Sequence, residues 1–354
     1  MIFRQLFEPS SSTYTYLLAG RRGGEALLID PVIEKVDRYL QLLRDLDLRL
    51  VKAVDTHLHA DHITALGALR DRTHCITVMY EHSRVDVVSM RVADGDRLQV
   101  EGVDLEVLYT PGHTDDSCCL RLEDRVFTGD TLLIRGTGRT DFQNGDARAQ
   151  YRSIFSRLLT LPDETLVFPG HDYKGDTVST IGEERRCNPR LQVKSVEEYV
   201  ELMANLKLAN PKMMDVAVPA NMKVGLQQEL IAQRGWAATA QQALSLVGQP
   251  DVLLIDLRER AERERHGSIA GAMHLPYPTL EASTCAGGLL QTLARSTGKR
   301  LLFYCAFGER SAMAVQAAQD AGLSGAFHLQ GGFAAWQAAG GPIVQHAPPD
   351  VTAR

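Results

Sequence analysis

The chain has 354 residues, 44% of them hydrophobic and 23% charged, the balance of an ordinary soluble globular protein with room for two domains. A net charge of −6 and a pI near 6.0 argue against nucleic acid or an anionic membrane as partner. They leave room for a small anionic substrate in a local basic pocket.

No run approaches the ~20 apolar residues of a membrane span. The opening residues, Met1-Ile2-Phe3-Arg4-Gln5-Leu6-Phe7-Glu8, show no basic segment followed by an apolar one, so no secretory signal is expected. Six cysteines are too few for a disulfide scaffold. A reducing, cytoplasmic setting is expected, in which a special cysteine is catalytic rather than structural.

In chain order, Val51–Asp55 reads as a strand ending in a histidine-rich loop. Leu105–Tyr109 reads as a strand running into Pro111-Gly112-His113. Cys118–Leu122 and Arg125–Thr128 flank Glu123-Asp124 as a hairpin. Tyr151, Ile154, Phe155, Leu158 and Leu159 have helical spacing within 147–159, with Asp146 as N-cap. Leu166–Phe168 is a strand running into Pro169-Gly170-His171, and Glu197–Asn205 is one more helix. The polar stretch around Gly225–Gly235 marks a domain boundary. Beyond it a compact α/β pattern restarts, with strands over Asp251–Asp256 and Leu301–Tyr304 and an Ala-rich helix over Ser311–Ala321. The expected division is 1–226, a connector over 227–234, and 235–354.

Residues 57–62 read His57-Leu58-His59-Ala60-Asp61-His62. Three imidazoles and a carboxylate in six residues do not share one face of a strand or helix, but on a loop they can converge on one or two metal ions. His113, Asp130 and His171 each follow a strand and a turn, where α/β layers place their sites. Neutral imidazole with carboxylate suits zinc, iron or manganese. His74, His82, His328 and His346 lack such context and are read as ordinary.

This pattern resembles the metallo-β-lactamase superfamily, an αββα sandwich with metal at one edge that hosts hydrolases, nucleases and oxidoreductases. Narrower motifs are D-T-H-L-H-A-D-H-I-T-A at 55–65, L-L-I-R-G-T-G-R-T-D-F-Q at 132–143, P-G-H-D-Y at 169–173 and V-A-V-P-A-N-M-K-V at 216–224. Together they resemble the persulfide dioxygenase family, called ethylmalonic encephalopathy proteins in animals, over residues 3 to 226. The resemblance implies one Fe(II) per chain held by His57, His113 and Asp130, a two-histidine, one-carboxylate triad that leaves open positions for substrate. His59, Asp61, His62, His171 and Asp172 then orient the ligands. The same residues, apart from Asp172, would serve a binuclear site, so the residues by themselves leave the metal count open. The implied reaction oxidises glutathione persulfide with O2 to sulfite and glutathione. Arg139, Tyr173 and Lys223 are the candidates for binding glutathione.

Cys305-Ala306-Phe307-Gly308-Glu309-Arg310-Ser311 follows a buried strand and opens a helix, so backbone N–H groups can cradle an anion there. The helix N-terminus and Arg310 both favour a thiolate at Cys305. The other five cysteines have no such setting. The loop resembles the rhodanese active loop. It is accompanied by Leu254-Ile255-Asp256-Leu257-Arg258, by His266-Gly267-Ser268-Ile269-Ala270-Gly271-Ala272, and by Leu329-Gln330-Gly331-Gly332 ahead of Trp336. The resemblance covers 235–345 and implies a parallel-sheet α/β domain. In it Cys305 takes sulfur from thiosulfate or a persulfide and passes it to a thiol, with Arg310 assisting. Ala306, Phe307, Gly308, Glu309 and Ser311 cradle that sulfur. Only four residues separate Cys305 from Arg310, which suits a sulfane sulfur better than phosphate.

The alternative is a binuclear zinc hydrolase of glutathione thioesters carrying a sulfur-carrier domain. Expected partners are glutathione persulfide, glutathione, thiosulfate and O2, with no nucleic acid or membrane; a homodimer is left open.

Overall fold

The computed structural model describes residues 1–85, 88–142, 144–206, 208, 213–224 and 228–345. Gln143 of the narrow motif, the start of the expected connector at Gln227, and His346 lie outside them. The chain divides into two compact units, one comprising residues 1–86 and 90–224 and the other residues 87–89 and 225–354.

The first unit holds two six-stranded sheets. One runs in chain order through β1 (Ile2–Glu8), β2 (Thr13–Ala19), β3 (Glu25–Ile29), β4 (Arg49–Val54), β5 (Ile76–Tyr80) and β6 (Met90–Val92). Its first three strands are antiparallel and the remainder parallel. The other runs through β7 (Arg97–Val100), β8 (Val103–Tyr109), β9 (Cys118–Arg121), β10 (Arg125–Gly129), β11 (Leu166–Pro169) and β12 (Ser179–Thr180), with only β10 and β11 parallel.

The inner faces meet through aromatic rings. Tyr16 of β2 lies 4.9 Å from Phe127 of β10 and 5.6 Å from Phe168 of β11, and Phe3 of β1 lies 4.9 Å from Phe168. The outer face of the second sheet is sealed by helices Ala147–Ser153 and Val196–Ala204. There Leu108, Cys119, Val126 and Val167 pack with Ile154, Leu158, Tyr199 and Met203. Covered on both faces, β2 is buried at all seven positions, which is why it reads as a continuous rather than alternating strand.

The second unit has a five-stranded sheet in the order β13 (Ala237–Ala238), β18 (Phe327–Leu329), β17 (Arg300–Tyr304), β14 (Val252–Asp256), β16 (Met273–His274). Every pairing in it is parallel. A separate antiparallel pair joins β15 (Ser268–Ile269) to β19 (Ile343–Val344).

The expected elements appear with shifted ends. Asp146 caps its helix as the sequence suggests, accepting from the N–H groups of Arg148 and Ala149. That helix is α-helical only to Ser153 and continues as a wider π-type turn over Ile154–Leu158, which keeps Ile154 and Leu158 on the buried side. The polar connector holds a short helix, Gln228–Gln233. It forms because Ile231 is buried and because the Gln228 amide finds partners in the interior, which a polarity pattern does not reveal.

Candidate metal centre and thiol loop

β4 delivers His57 to the edge of the sandwich, the turn after β8 delivers His113, and the end of β10 delivers Asp130. One donor atom from each lies within 4.8 Å of the other two, and the two histidines are buried. Hydrogen bonding fixes which nitrogen faces the cluster. Nδ1 of His113 donates to the carbonyl of Arg139 at 2.7 Å, which leaves Nε2 with its lone pair 3.6 Å from Asp130 Oδ2. The Thr56 hydroxyl donates to Asp30 Oδ2 at 2.9 Å, so its oxygen accepts from His57 Nδ1 at 3.0 Å and His57 Nε2 is likewise a lone pair. Burial, and then the nearby His59 and His113, push the His57 pKa well below its ordinary 6.5, keeping the ring neutral. Gly138 admits the Arg139 carbonyl to this position. A Cβ there would sit 2.2 Å from the Asp130 carbonyl and 2.8 Å from His113 Nδ1, which accounts for the Gly in R-G-T-G-R.

His171 is held differently. Its Nδ1 lies 2.6 Å from Asp130 Oδ1 and its Nε2 2.7 Å from Asp61 Oδ2. Burial opposes its charge, but these two carboxylates hold its pKa well above the usual value. Asp130 is correspondingly ionised: burial resists, yet His171 and His113 keep its carboxyl below the usual range. His59, Asp61 and His62 form a second group with donor atoms within 4.8 Å. Among the described residues His59 Nδ1 and His62 Nε2 are buried without a hydrogen-bond partner. Burial holds the His62 pKa below its ordinary value, whereas Asp30, Asp55 and Asp61 outweigh burial and raise that of His59 to about 9, so His59 must give up a proton before it can take a divalent cation beside Asp61 and His62.

The other expected residues divide. Asp172 spends its carboxylate on the backbone N–H groups of Lys174, Gly175 and Asp176, shaping a turn rather than touching a ligand. Tyr173 is exposed, its ring parallel to His171 with centroids 6.0 Å apart. Arg139 is engaged by Asp141 through two 2.6 Å contacts and lies over the Phe142 ring. Lys223 is exposed. Asn221 had no assigned role, although it lies in the 216–224 motif. Its amide donates to the carbonyls of His59 and His62 and accepts from Thr64 N–H, fastening the histidine loop.

In the second unit Cys305 follows β17 and the helix Glu309–Asp320 opens behind it. Gly308 has φ +91° and its N–H donates to Cys305 Sγ at 3.2 Å, the first contact of an anion cradle. Ala306 and Phe307 are partly exposed at its mouth, while Gly308, Glu309, Arg310 and Ser311 are buried. Arg310 does not point both terminal nitrogens at the sulfur. They bond Glu262 at 2.7 and 2.6 Å, and its charge reaches Cys305 through space. Glu262 escaped sequence reading because it lies 48 positions away on another helix. Gln228, read only as connector, donates to the Phe307 carbonyl and accepts from Gly331 N–H. His328, read as ordinary, lies 3.2 Å from the Ser311 hydroxyl behind Cys305. Cys75, Cys118 and Cys119 are buried, and Cys187 and Cys285 exposed; none is in a disulfide.

Two stacked mixed sheets with strand-end histidines at one edge define a metallo-β-lactamase-fold unit, and the parallel-sheet unit that follows it in the chain, with a cysteine at a strand-to-helix turn, is a rhodanese unit. The Metallo-beta-lactamase superfamily model matches residues 10–88 and 82–171, and the Rhodanese-like domain model residues 239–339. The human protein "Persulfide dioxygenase ETHE1, mitochondrial" is 48% identical over 230 residues, 64% of this chain and 90% of the relative. The crystal structure of ETHE1 from Myxococcus xanthus is 56% identical, covers 63% of this chain and 98% of its own, and superposes with a TM-score of 0.61. A metallo-beta-lactamase structure from Staphylococcus aureus covers 94% of this chain and 97% of its own at 21% identity and a TM-score of 0.58, a likeness of fold. The chain belongs to the persulfide dioxygenase family and carries a rhodanese-like domain after it. Both point to sulfur metabolism and sulfur-compound substrates. Among the described residues no helix is long and apolar enough to cross a membrane.

Proposed function

We propose that the first unit oxidises glutathione persulfide with O2 at a single Fe(II) held by His57, His113 and Asp130. The second unit moves sulfane sulfur between thiosulfate and glutathione through Cys305. The observation that carries the first half is the division of labour at Asp130. Its Oδ2 lies 3.6 Å from His113 Nε2, within the group that includes His57, while its Oδ1 lies 2.6 Å from His171 Nδ1. A second cation at His59, Asp61 and His62 would have to take Asp61 from His171.

Iron at the triad supplies the one-electron chemistry that lets O2 react with a sulfur anion. The protein's part is orientation. The Arg139 carbonyl and Thr56 keep the two imidazole lone pairs aimed at one point, and Asn221 holds the loop that carries His59 and His62. Persulfide, O2 and water become glutathione, sulfite and two protons, so both O2 atoms and one water oxygen end on the terminal sulfur. Tyr173, exposed and parallel to the His171 ring, would contact the substrate. In the second unit Cys305 attacks the outer sulfur of thiosulfate. The S–S bond breaks, sulfite leaves with the electron pair, and Cys305 carries a persulfide. Glutathione thiolate then takes the outer sulfur and returns Cys305 to a thiolate.

A binuclear zinc thioester hydrolase is the second reading, favoured by the unpartnered His59 and His62 nitrogens. Metal content with O2 uptake separates the two. The iron reading expects about one iron per chain and O2 uptake with glutathione persulfide, both lost in Asp130→Ala. Two tightly bound zinc ions in fully active protein would overturn it.

A further inference from the structure

Cys305 is backed by a polar group that its chemistry as described does not use. His328 of β18 is fully buried, and its Nε2 has no hydrogen-bond partner among the described residues. Its Nδ1 lies 3.2 Å from Ser311 Oγ, and Ser311 Oγ lies 3.7 Å from Cys305 Sγ and 3.0 Å from the Gly308 carbonyl. We propose that His328 is a positioning residue for sulfur transfer: it donates from Nδ1 to the Ser311 oxygen and so reserves the Ser311 proton for the sulfur of Cys305.

A serine hydroxyl has one proton and two lone pairs, and a neutral imidazole has one N–H. Burial, opposed by the Gly308 backbone nearby, pushes the His328 pKa down to about 4, so the ring is neutral near neutral pH. With its proton on Nε2, the ring would bury an unpaired N–H and draw Ser311's only proton toward Nδ1. With the proton on Nδ1, the N–H is paired with Ser311 and only a lone pair is left without a partner, the cheaper deficit. The hydroxyl proton is then free for the Gly308 carbonyl or for Cys305. Once Cys305 is an anion it is the stronger acceptor, because hydrogen bonds to charged groups exceed neutral ones. With the Gly308 N–H on the same sulfur, two donors then stabilise the thiolate that attacks in the first half-reaction and leaves in the second.

The proposal rests on Cys305 carrying the sulfur, and the test keeps the two apart. His328→Leu removes the donor; His328→Asn keeps an N–H near the position of Nδ1. Two quantities are measured near neutral pH: the rate of iodoacetamide alkylation of Cys305, followed by peptide mass, and kcat and KM for transfer from thiosulfate to glutathione. Loss of one charge-assisted hydrogen bond predicts about a tenfold fall in alkylation rate and kcat in His328→Leu, with KM within about twofold. His328→Asn should recover both to within about threefold, and Ser311→Ala should match His328→Leu with no further loss in the double variant. The proposal is overturned if His328→Leu alkylates at the wild-type rate, if only KM moves, or if His328→Asn is as slow as His328→Leu. Transfer that survives Cys305→Ser would instead overturn the sulfur-carrier reading, while the alkylation rates would still report on the His328 contact.

Discussion

Thr56→Val tests the claim that hydrogen bonding behind the histidines sets up the metal centre. Thr56 is 1% exposed, and valine keeps its branching and nearly its volume, so the cavity term is small. What disappears is the hydroxyl between Asp30 and His57, at 2.9 and 3.0 Å. His57 then has two options. It can keep its proton on Nδ1 unpaired in the interior, at a cost of ~1–3 kcal/mol, or move the proton to Nε2 and lose the lone pair that faces the triad. Either path weakens metal binding, and loss of such supporting contacts elsewhere costs ~10–100-fold in affinity. Asp30 keeps its bond from Thr56 N–H at 2.7 Å, so the fold should persist. Competition with an Fe(II) chelator gives the affinity, and O2 uptake with glutathione persulfide at saturating iron gives the residual activity. Iron affinity within about twofold of wild type in a folded variant would refute the reasoning.

Glu262→Ala should strand Arg310, which is 0% exposed, without its carboxylate. Leaving a buried charge unpaired costs ~3–5 kcal/mol, read as a large fall in the melting temperature of the second unit and loss of thiosulfate:glutathione transfer. His328 makes that unit acid-sensitive. Its folded pKa of about 4 lies below the ordinary 6.5, so the unfolded chain binds the extra proton. Its contribution is complete above 6.5 and is lost as pH falls toward 4, up to ~3 kcal/mol. His328→Asn should flatten the stability profile across that window; an unchanged profile in chemical denaturation counts against it.

Much of this site was legible because its chemistry clusters in the chain. His57 to His62 lie within one loop, and Cys305 to Arg310 within another. Strand-end placement of His113, Asp130 and His171 followed from apolar runs broken by Pro-Gly or Gly. The supporting contacts were not legible, because they join residues far apart in sequence. Thr56 meets Asp30 across 26 positions, Asn221 meets His59 across 162, and Gln228 meets Phe307 across 79. His328 was passed over because an isolated histidine in an apolar strand carries no pattern; only the approach of β18 to the helix after Cys305 reveals its partner. The motif names Arg310, but its partner Glu262 lies 48 positions away on another helix and belongs to no local pattern.

If Cys305 passes sulfur from thiosulfate to glutathione, the glutathione persulfide it forms is the substrate proposed for the first unit. Joining the two units in one chain would then raise the concentration of that persulfide at the proposed iron site. The most direct measurement is O2 uptake by iron-loaded protein given only thiosulfate and glutathione. The account predicts steady uptake that Cys305→Ser abolishes, while the same variant still consumes O2 near normally when glutathione persulfide is supplied. No uptake from thiosulfate and glutathione in protein that oxidises supplied persulfide, or undiminished uptake in Cys305→Ser, would contradict it.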